Sequence, residues 1–357
     1  LSIRRQRQMC IRDRNISSDE NRKNDTMRKV EGEFIRGVSK FRHKLGKGSN
    51  FPSEPNRYHL FVALNCPWCH RVTLARNILG LEKSITMDIV FPNRTGEEDP
   101  IAQGLWEFNP DRIATLTGEI LTECTRDTGT GKNYRLVKQI YEAEESNETS
   151  LPILYDKIQK TIVSNESSEI VRMLNQEASS LNSSLDNKVR PNLYPLGEIN
   201  NKLRDMIDTF NHQIYENINN GAYRAGFSSN QEVYARAFSN YFDTLGELED
   251  ILNSDGRPFL TGENLTEADL RLFPTLFRHD PIYFLRMKLN GARILDFPNL
   301  WRWLCRLYAI PRVAESNSLI HCRQGYFGRS WNNVVPLGPI SPMSYPEAYK
   351  HPELVIK

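Results

Sequence analysis

The sequence predicts an α/β domain followed by an all-helical domain. Two observations carry this. Apolar runs with strand character alternate with helical periodicity up to about residue 178, and beyond that only amphipathic helical patterns remain. A third observation is the pentapeptide Cys66-Pro67-Trp68-Cys69-His70, set where a strand-like run ends and a helical pattern begins.

The first strand is predicted at Tyr58-His59-Leu60-Phe61-Val62-Ala63-Leu64, rich in aromatic and branched residues. Val72, Leu74, Ala75, Ile78, Leu79 and Leu81 then recur at helical spacing, which puts Cys66 at a helix start. The first backbone N–H groups of a helix have no partner within it, and the helix dipole adds positive charge at the same end. Both favour a thiolate, the nucleophilic form of cysteine. Pro67 suits the first turn, where its missing N–H costs nothing. A second strand is expected over Ser84–Val90, followed by a long polar stretch at 92–135 and a helix at 134–145. Gly129-Thr130-Gly131-Lys132 lacks the first Gly and the final Ser/Thr of a phosphate loop and is set aside. Leu151–Tyr155 and Lys160–Val163 form a predicted hairpin, with Pro152 opening its first strand beside the Cys turn. Ser164-Asn165-Glu166-Ser167 supplies capping residues for a helix through Ile170, Val171, Met173 and Leu174. The order β-α-β, α, β-β-α is that of a thioredoxin-like domain, taken here as residues 46–178.

Residues 179–335 read as the helical domain. Apolar residues recur at helical spacing over 196–220 and 230–252. Thr266-Glu267-Ala268-Asp269 is a capping box opening a further helix, and Pro298 opens another. Residues 1–45 are crowded with polar and charged side chains and are expected to be a disordered tail, with Met27 a candidate start. Residues 336–357 carry five prolines and are expected to be extended.

Composition narrows the function. With 357 residues, 25% charged and 39% hydrophobic, the chain is of ordinary globular type. A formal net charge of +2 gives no argument for nucleic acid, and no apolar run approaches the roughly 18 residues of a membrane span. Six scattered cysteines suit a reducing compartment, and a cytoplasmic location is expected. C-x-x-C-H is also the attachment pattern of c-type haem, but no export signal accompanies it. Zinc needs further ligands at recognisable spacing, and Cys124, Cys305 and Cys322 are isolated, so no metal is expected. An inert structural pair competes with a redox or nucleophilic reading, and the β/α context favours the latter.

Four segments go beyond architecture: Asn65–Arg71, Thr161–Ile170, Ile218–Phe227 and Leu265–Phe273, supported by Gly104–Phe108 and Asp296–Trp301. Over residues 45–340 the chain closely resembles the glutathionyl-hydroquinone reductases, also called Xi-class glutathione transferases. The resemblance implies glutathione as co-substrate, a homodimer, and reduction of glutathionyl-hydroquinones through a mixed disulfide between Cys66 and glutathione. It also implies that Glu166 and Ser167 hold the γ-glutamyl end of glutathione. Leu151, before Pro152, would pair with its cysteinyl backbone, and Trp106 would lie beside it. Tyr223 and Tyr308 match tyrosines lining the aromatic-substrate pocket. Taken alone, Glu166 and Ser167 also read as a helix cap, and Trp106 and the tyrosines as core residues. The chain departs from the family at Cys69, where Ala is usual, and at Lys138, which stands where the family has Arg. Cys69 admits a resolving role, and with it a general dithiol oxidoreductase acting on protein disulfides or dehydroascorbate. It also admits a buried, inert thiol. A non-catalytic binding module is the third reading, which the presence of the nucleophile disfavours.

Overall fold

The computed structural model describes residues 27–96, 104–116, 123–182, 190–328 and 334–336. The expected extended tail lies, apart from Pro336, outside the described residues, as do residues 1–26 of the expected disordered one.

The thioredoxin-like half is built on a four-stranded sheet: β3 (Tyr58–Val62), β4 (Thr86–Ile89), β5 (Ile153–Asp156) and β6 (Thr161–Ser164), in the order β4-β3-β5-β6. β3 runs parallel to β4, with Val62 opposite Ile89, and antiparallel to β5, with Phe61 opposite Ile153. Every residue of β3 is buried; Phe61 packs on Phe108 and Tyr155, ring centres 5.5 and 5.7 Å away. Between β3 and β4 runs α1 (Pro67–Ile78), and α2 (Val137–Glu142) precedes β5. After β6 comes α3 (Ser167–Leu181), which packs on α1. This helix continues past the domain boundary expected near residue 178. The discarded phosphate-loop stretch has a structural job. Asp88 of β4 accepts hydrogen bonds from the backbone N–H groups of Thr128 and Gly129, so the anion held by this glycine turn is the protein's own carboxylate.

The helical half comprises α4 (Asn201–Gln213), a π-helical turn at Ile214–Asn219, α5 (Asn220–Phe227), α6 (Gln231–Ser254), α7 (Glu267–Arg278), the short α8 (Phe284–Arg286), α9 (Pro298–Ala309) and α10 (Leu319–Phe327). The capping box at Thr266 forms as expected. Asp269, the third residue of α7, accepts from the N–H groups of Thr266 and Leu260 and from the Trp303 indole, tying α7 to α9. α7 packs directly against α1 and so joins the two halves.

The N-terminal tail departs from its expected disorder over its described part. The N-terminal tail contains an antiparallel hairpin, β1 (Met27–Val30) and β2 (Glu33–Arg36). Phe34 is buried, its ring 5.8 Å from that of Tyr223 and 6.0 Å from that of Phe227. The segment is too polar to announce itself by apolar periodicity; besides Phe34 it docks through the Gly32 carbonyl, which accepts from Ser229 N–H at 3.1 Å, and through Glu33, paired with Arg236 at 3.0 Å.

Candidate active site

Cys66 is the N-cap of α1. Its φ of −82° and ψ of 124° are extended, and its carbonyl accepts the first helical bond, from His70 N–H, at 3.0 Å. Pro67 occupies the first helical position. The sulfur therefore sits over the free N–H groups of the first turn, half-buried, 3.9 Å from the carbonyl oxygen of Leu151. The Leu151–Pro152 peptide bond is cis.

Burial alone would push the Cys66 thiol up. The Cys69 thiol donating to it, the backbone N–H groups of Cys69 and Trp68, and the charge of Arg278 outweigh burial and bring it down to about 6. Cys69 moves the other way. It is fully buried, and burial together with the neighbouring Cys66 sulfur holds its thiol well above the usual value. Its own sulfur accepts the Ala63 N–H at 3.3 Å. At neutral pH the pair thus carries its charge on Cys66 and its proton on Cys69.

Arg278, at the end of α7, is completely buried and reaches under the cysteine turn. Its guanidinium donates to the carbonyls of Leu64 at 3.0 Å, Asn65 at 3.3 Å and Pro274 at 2.8 Å. It also donates to His70 Nδ1 at 2.9 Å. Because Arg has no acceptor, His70 must carry its proton on Nε2, which faces Ser316 Oγ at 3.2 Å. Burial first, and the Arg278 charge second, keep this imidazole neutral.

The sulfur opens onto a cleft of about 240 Å³ between the two halves. Trp106 and Leu151 line one side, with the Arg94 guanidinium 4.7 Å from the Trp106 ring centre. Trp68, Tyr223 and Tyr326 line the other. Tyr326 Oη lies 2.7 Å from Tyr223 Oη and 3.1 Å from Tyr283 Oη. Burial raises the pKa of all three phenols, so they remain proton donors at neutral pH.

The structure thus brings Cys66, Pro67, Trp106, Leu151 and Tyr223 to one cleft. Tyr308 is elsewhere. It stacks on Phe277, ring centres 6.1 Å apart, and does not line the cleft. Tyr326 of α10 takes the place expected of it, because α10 rather than α9 packs over the cysteine turn: its Gly325 meets the Asn65 side chain so closely that any Cβ would clash. Pro152, Glu166 and Ser167 are likewise outside the cleft lining. Glu166 caps α3, accepting from Ser168 N–H at 3.1 Å and from the Ser39 hydroxyl at 3.2 Å, and Ser167 is buried in the first turn. Lys138 pairs with Glu142 on α2 at 2.6 Å.

Sequence reasoning missed Arg278, Tyr326 and Arg36. Arg278 immediately follows the apolar stripe of α7, where a charge normally marks the solvent edge. Tyr326 follows Gly325, a helix-weakening residue, but lies in a segment the sequence reading did not single out. Arg36 lay in the presumed tail.

A thioredoxin-like sheet, a helical second domain and a helix-capping thiolate between them define a member of the glutathione transferase superfamily. The family models agree: Glutathione S-transferase, N-terminal domain, matches residues 65–177, and Glutathione S-transferase, C-terminal domain, residues 231–306. Among individual proteins, glutathionyl-hydroquinone reductase PcpF of Sphingobium chlorophenolicum is 38% identical, covering 87% of this chain and 91% of its own. The corresponding reductase YqjG of Escherichia coli K-12 is 36% identical over 87% and 88%. The crystal structure of glutathione-S-transferase Xi from Phanerochaete chrysosporium superposes with a TM-score of 0.74 at 35% identity, over 87% of this chain and 93% of that one. The glutathione-bound structure of YqjG gives 0.73 at 33% identity, over 88% and 97%. The chain belongs to the glutathionyl-hydroquinone reductase family, the Xi class of glutathione transferases.

Proposed function

We propose that this protein reduces glutathionyl-hydroquinones to hydroquinones, with glutathione as reductant. The observation that carries the reading is the Cys66 sulfur, its pKa brought down to about 6, at the floor of a cleft whose opposite wall is a chain of tyrosine hydroxyls. The Cys66 thiolate attacks the glutathione sulfur of the aryl thioether. An S–S bond forms, the S–aryl bond breaks, and its electron pair stays with the ring, which takes up a proton to become the free hydroquinone. Tyr223 and Tyr326 are suited to donate hydrogen bonds to the ring oxygen while charge develops there. A second glutathione thiolate then attacks the mixed disulfide, releasing oxidised glutathione and regenerating Cys66.

Trp106 and the Leu151 backbone are the glutathione-side contacts in this reading. Glu166 and Ser167 would reach the γ-glutamyl group from the α3 N-terminus, where backbone N–H groups suit its carboxylate. The buried position of Cys69 favours a supporting thiol over a resolving one, and so favours the monothiol cycle over a dithiol oxidoreductase. A homodimer is part of the proposal, supported by the exposed apolar side chains of Leu196, Ile199 and Met206. A reducing compartment suits such thiol chemistry, and the cytoplasm is the one proposed.

The test is turnover of glutathionyl-menadiol together with intact mass. Wild type should release menadiol. Cys66→Ser should neither turn over nor gain the mass of glutathione. Turnover by Cys66→Ser would overturn the assignment.

A further inference from the structure

The cleft holds more positive charge than its thiol chemistry uses. Arg36, Arg94 and Arg286 all line it, and neither Asp nor Glu is among its described lining residues. Arg94 lies over Trp106, on the side assigned to glutathione. Arg36 and Arg286 stand on the tyrosine side. The Arg36 guanidinium carbon is 4.2 Å from the centre of the Trp68 ring and 5.3 Å from that of Tyr223, and its Nε donates to Asn220 Oδ1 at 3.1 Å. Arg286 is exposed and donates from Nε to the Tyr326 carbonyl at 3.0 Å. Each arginine is therefore held by one hydrogen bond from Nε, Arg36 on the Asn220 side chain and Arg286 on the Tyr326 carbonyl, with its other guanidinium N–H groups facing the cleft.

Neither has a carboxylate partner among the described residues. The nearest acid in sequence to Arg36, Glu33, is engaged by Arg224 at 3.6 Å and Arg236 at 3.0 Å. Three residues apart on one strand, Glu33 and Arg36 point to opposite faces, so the acid cannot neutralise the base. Two guanidinium groups in a cleft with no carboxylate among its described lining residues make an anion site, since Arg presents paired donors that match a planar oxyanion.

We propose that the aromatic half of the substrate carries an anionic ring substituent, a carboxylate in its simplest form, received by Arg36 and Arg286 beside the Tyr223–Tyr326 pair. This rests on the proposed reduction and adds to it a substrate class: S-glutathionyl conjugates of acidic hydroquinones, in preference to neutral ones.

The experiment compares two S-glutathionyl hydroquinones that differ at one ring position, carboxylate in one and carboxamide in the other. Equilibrium binding is measured on full-length Cys66→Ser, which cannot turn them over, and kcat/KM on the protein with Cys66 intact. A charge-assisted contact should favour the acid by about tenfold in each measurement. Arg36→Gln and Arg286→Gln should each shrink the acid-to-amide ratio toward one, and Arg286→Lys should restore much of it. An acid-to-amide ratio near one in wild type overturns the proposal. So does an equal loss for both conjugates in the Gln variants, which would mean that the arginines serve the carboxylates of glutathione or the fold. Binding that favours the acid without turnover of either conjugate would instead overturn the reductase reading and leave the anion site standing.

Discussion

Tyr326 Oη sits 2.7 Å from Tyr223 Oη, although the two residues come from different helices 103 positions apart. Tyr283 approaches the same oxygen at 3.1 Å, so three phenols share their protons in a row. A row of this kind always has a donor to spare, because each internal bond uses one proton and the end hydroxyl keeps its own. With the bonds running from Tyr283 through Tyr326 to Tyr223, the spare proton lies on Tyr223, which lines the cleft, and it costs no reorganisation when charge develops on a ring oxygen.

Tyr223→Phe and Tyr326→Phe are therefore each expected to lower kcat by about 10²-fold, within the range for losing one donor to a developing oxyanion. KM for the glutathione co-substrate should change little. Tyr308→Phe should leave both constants unchanged, since that ring stacks on Phe277 and does not line the cleft. Steady-state kinetics on the three variants separates the two pocket tyrosines from Tyr308, which the family resemblance had suggested alongside Tyr223.

The pH dependence follows from Cys66. Its folded pKa of about 6 lies below the usual thiol value, so the thiolate is the major form at neutral pH. The rate of alkylation by iodoacetamide should be flat above pH 7 and fall about tenfold per pH unit once the pH is well below 6. A midpoint near 8 or 9 would show that burial wins over the helix N–H groups and Arg278.

Much of this was legible beforehand, and the reasons differ by element. β3, α1 and the capping box at Thr266 are local signals, with apolar period and cap chemistry in one window. The long matches around Cys66, Ser167 and Tyr223 carried the family. Arg278, Tyr326 and Arg36 were not legible, because each is defined by what it touches. Arg278 meets the carbonyls of Leu64 and Asn65, more than 200 positions away. A buried guanidinium satisfied by carbonyls leaves no pattern in its own neighbourhood.

Asp269 gives a stability prediction far from the thiol. Its carboxylate is buried and accepts from Leu260 N–H at 2.9 Å, Thr266 N–H at 3.0 Å and Trp303 Nε1 at 2.9 Å. Asp269→Ala leaves three buried donors without an acceptor, each costing about 1–3 kcal/mol. The loss should approach 3–5 kcal/mol, read as a lower urea midpoint at unchanged slope. Asp269→Asn should be intermediate, because its amide oxygen can still accept while its NH₂ opposes a donor.

Cys69 is the thiol that the proposed monothiol cycle does not use as a nucleophile, and two roles for it predict opposite behaviour. As a resolving thiol it would close a disulfide with Cys66, so air-oxidised protein would show a lag that dithiothreitol removes. As a buried donor it would only hold the Cys66 thiolate. Geometry favours the second: Cys69 is fully buried and its sulfur already accepts the Ala63 N–H. Its raised pKa keeps the proton in place to be donated. Cys69→Ala should then raise the Cys66 pKa by about one unit, the equivalent of one charge-assisted hydrogen bond of about 1.4 kcal/mol. Cys69→Ser keeps a donor and should recover part of that shift, with substantial turnover. Thiol counting on oxidised wild type should still find both sulfurs of the motif. Loss of both titratable thiols on oxidation, with a lag in turnover, would reverse the assignment and make Cys69 the resolving residue.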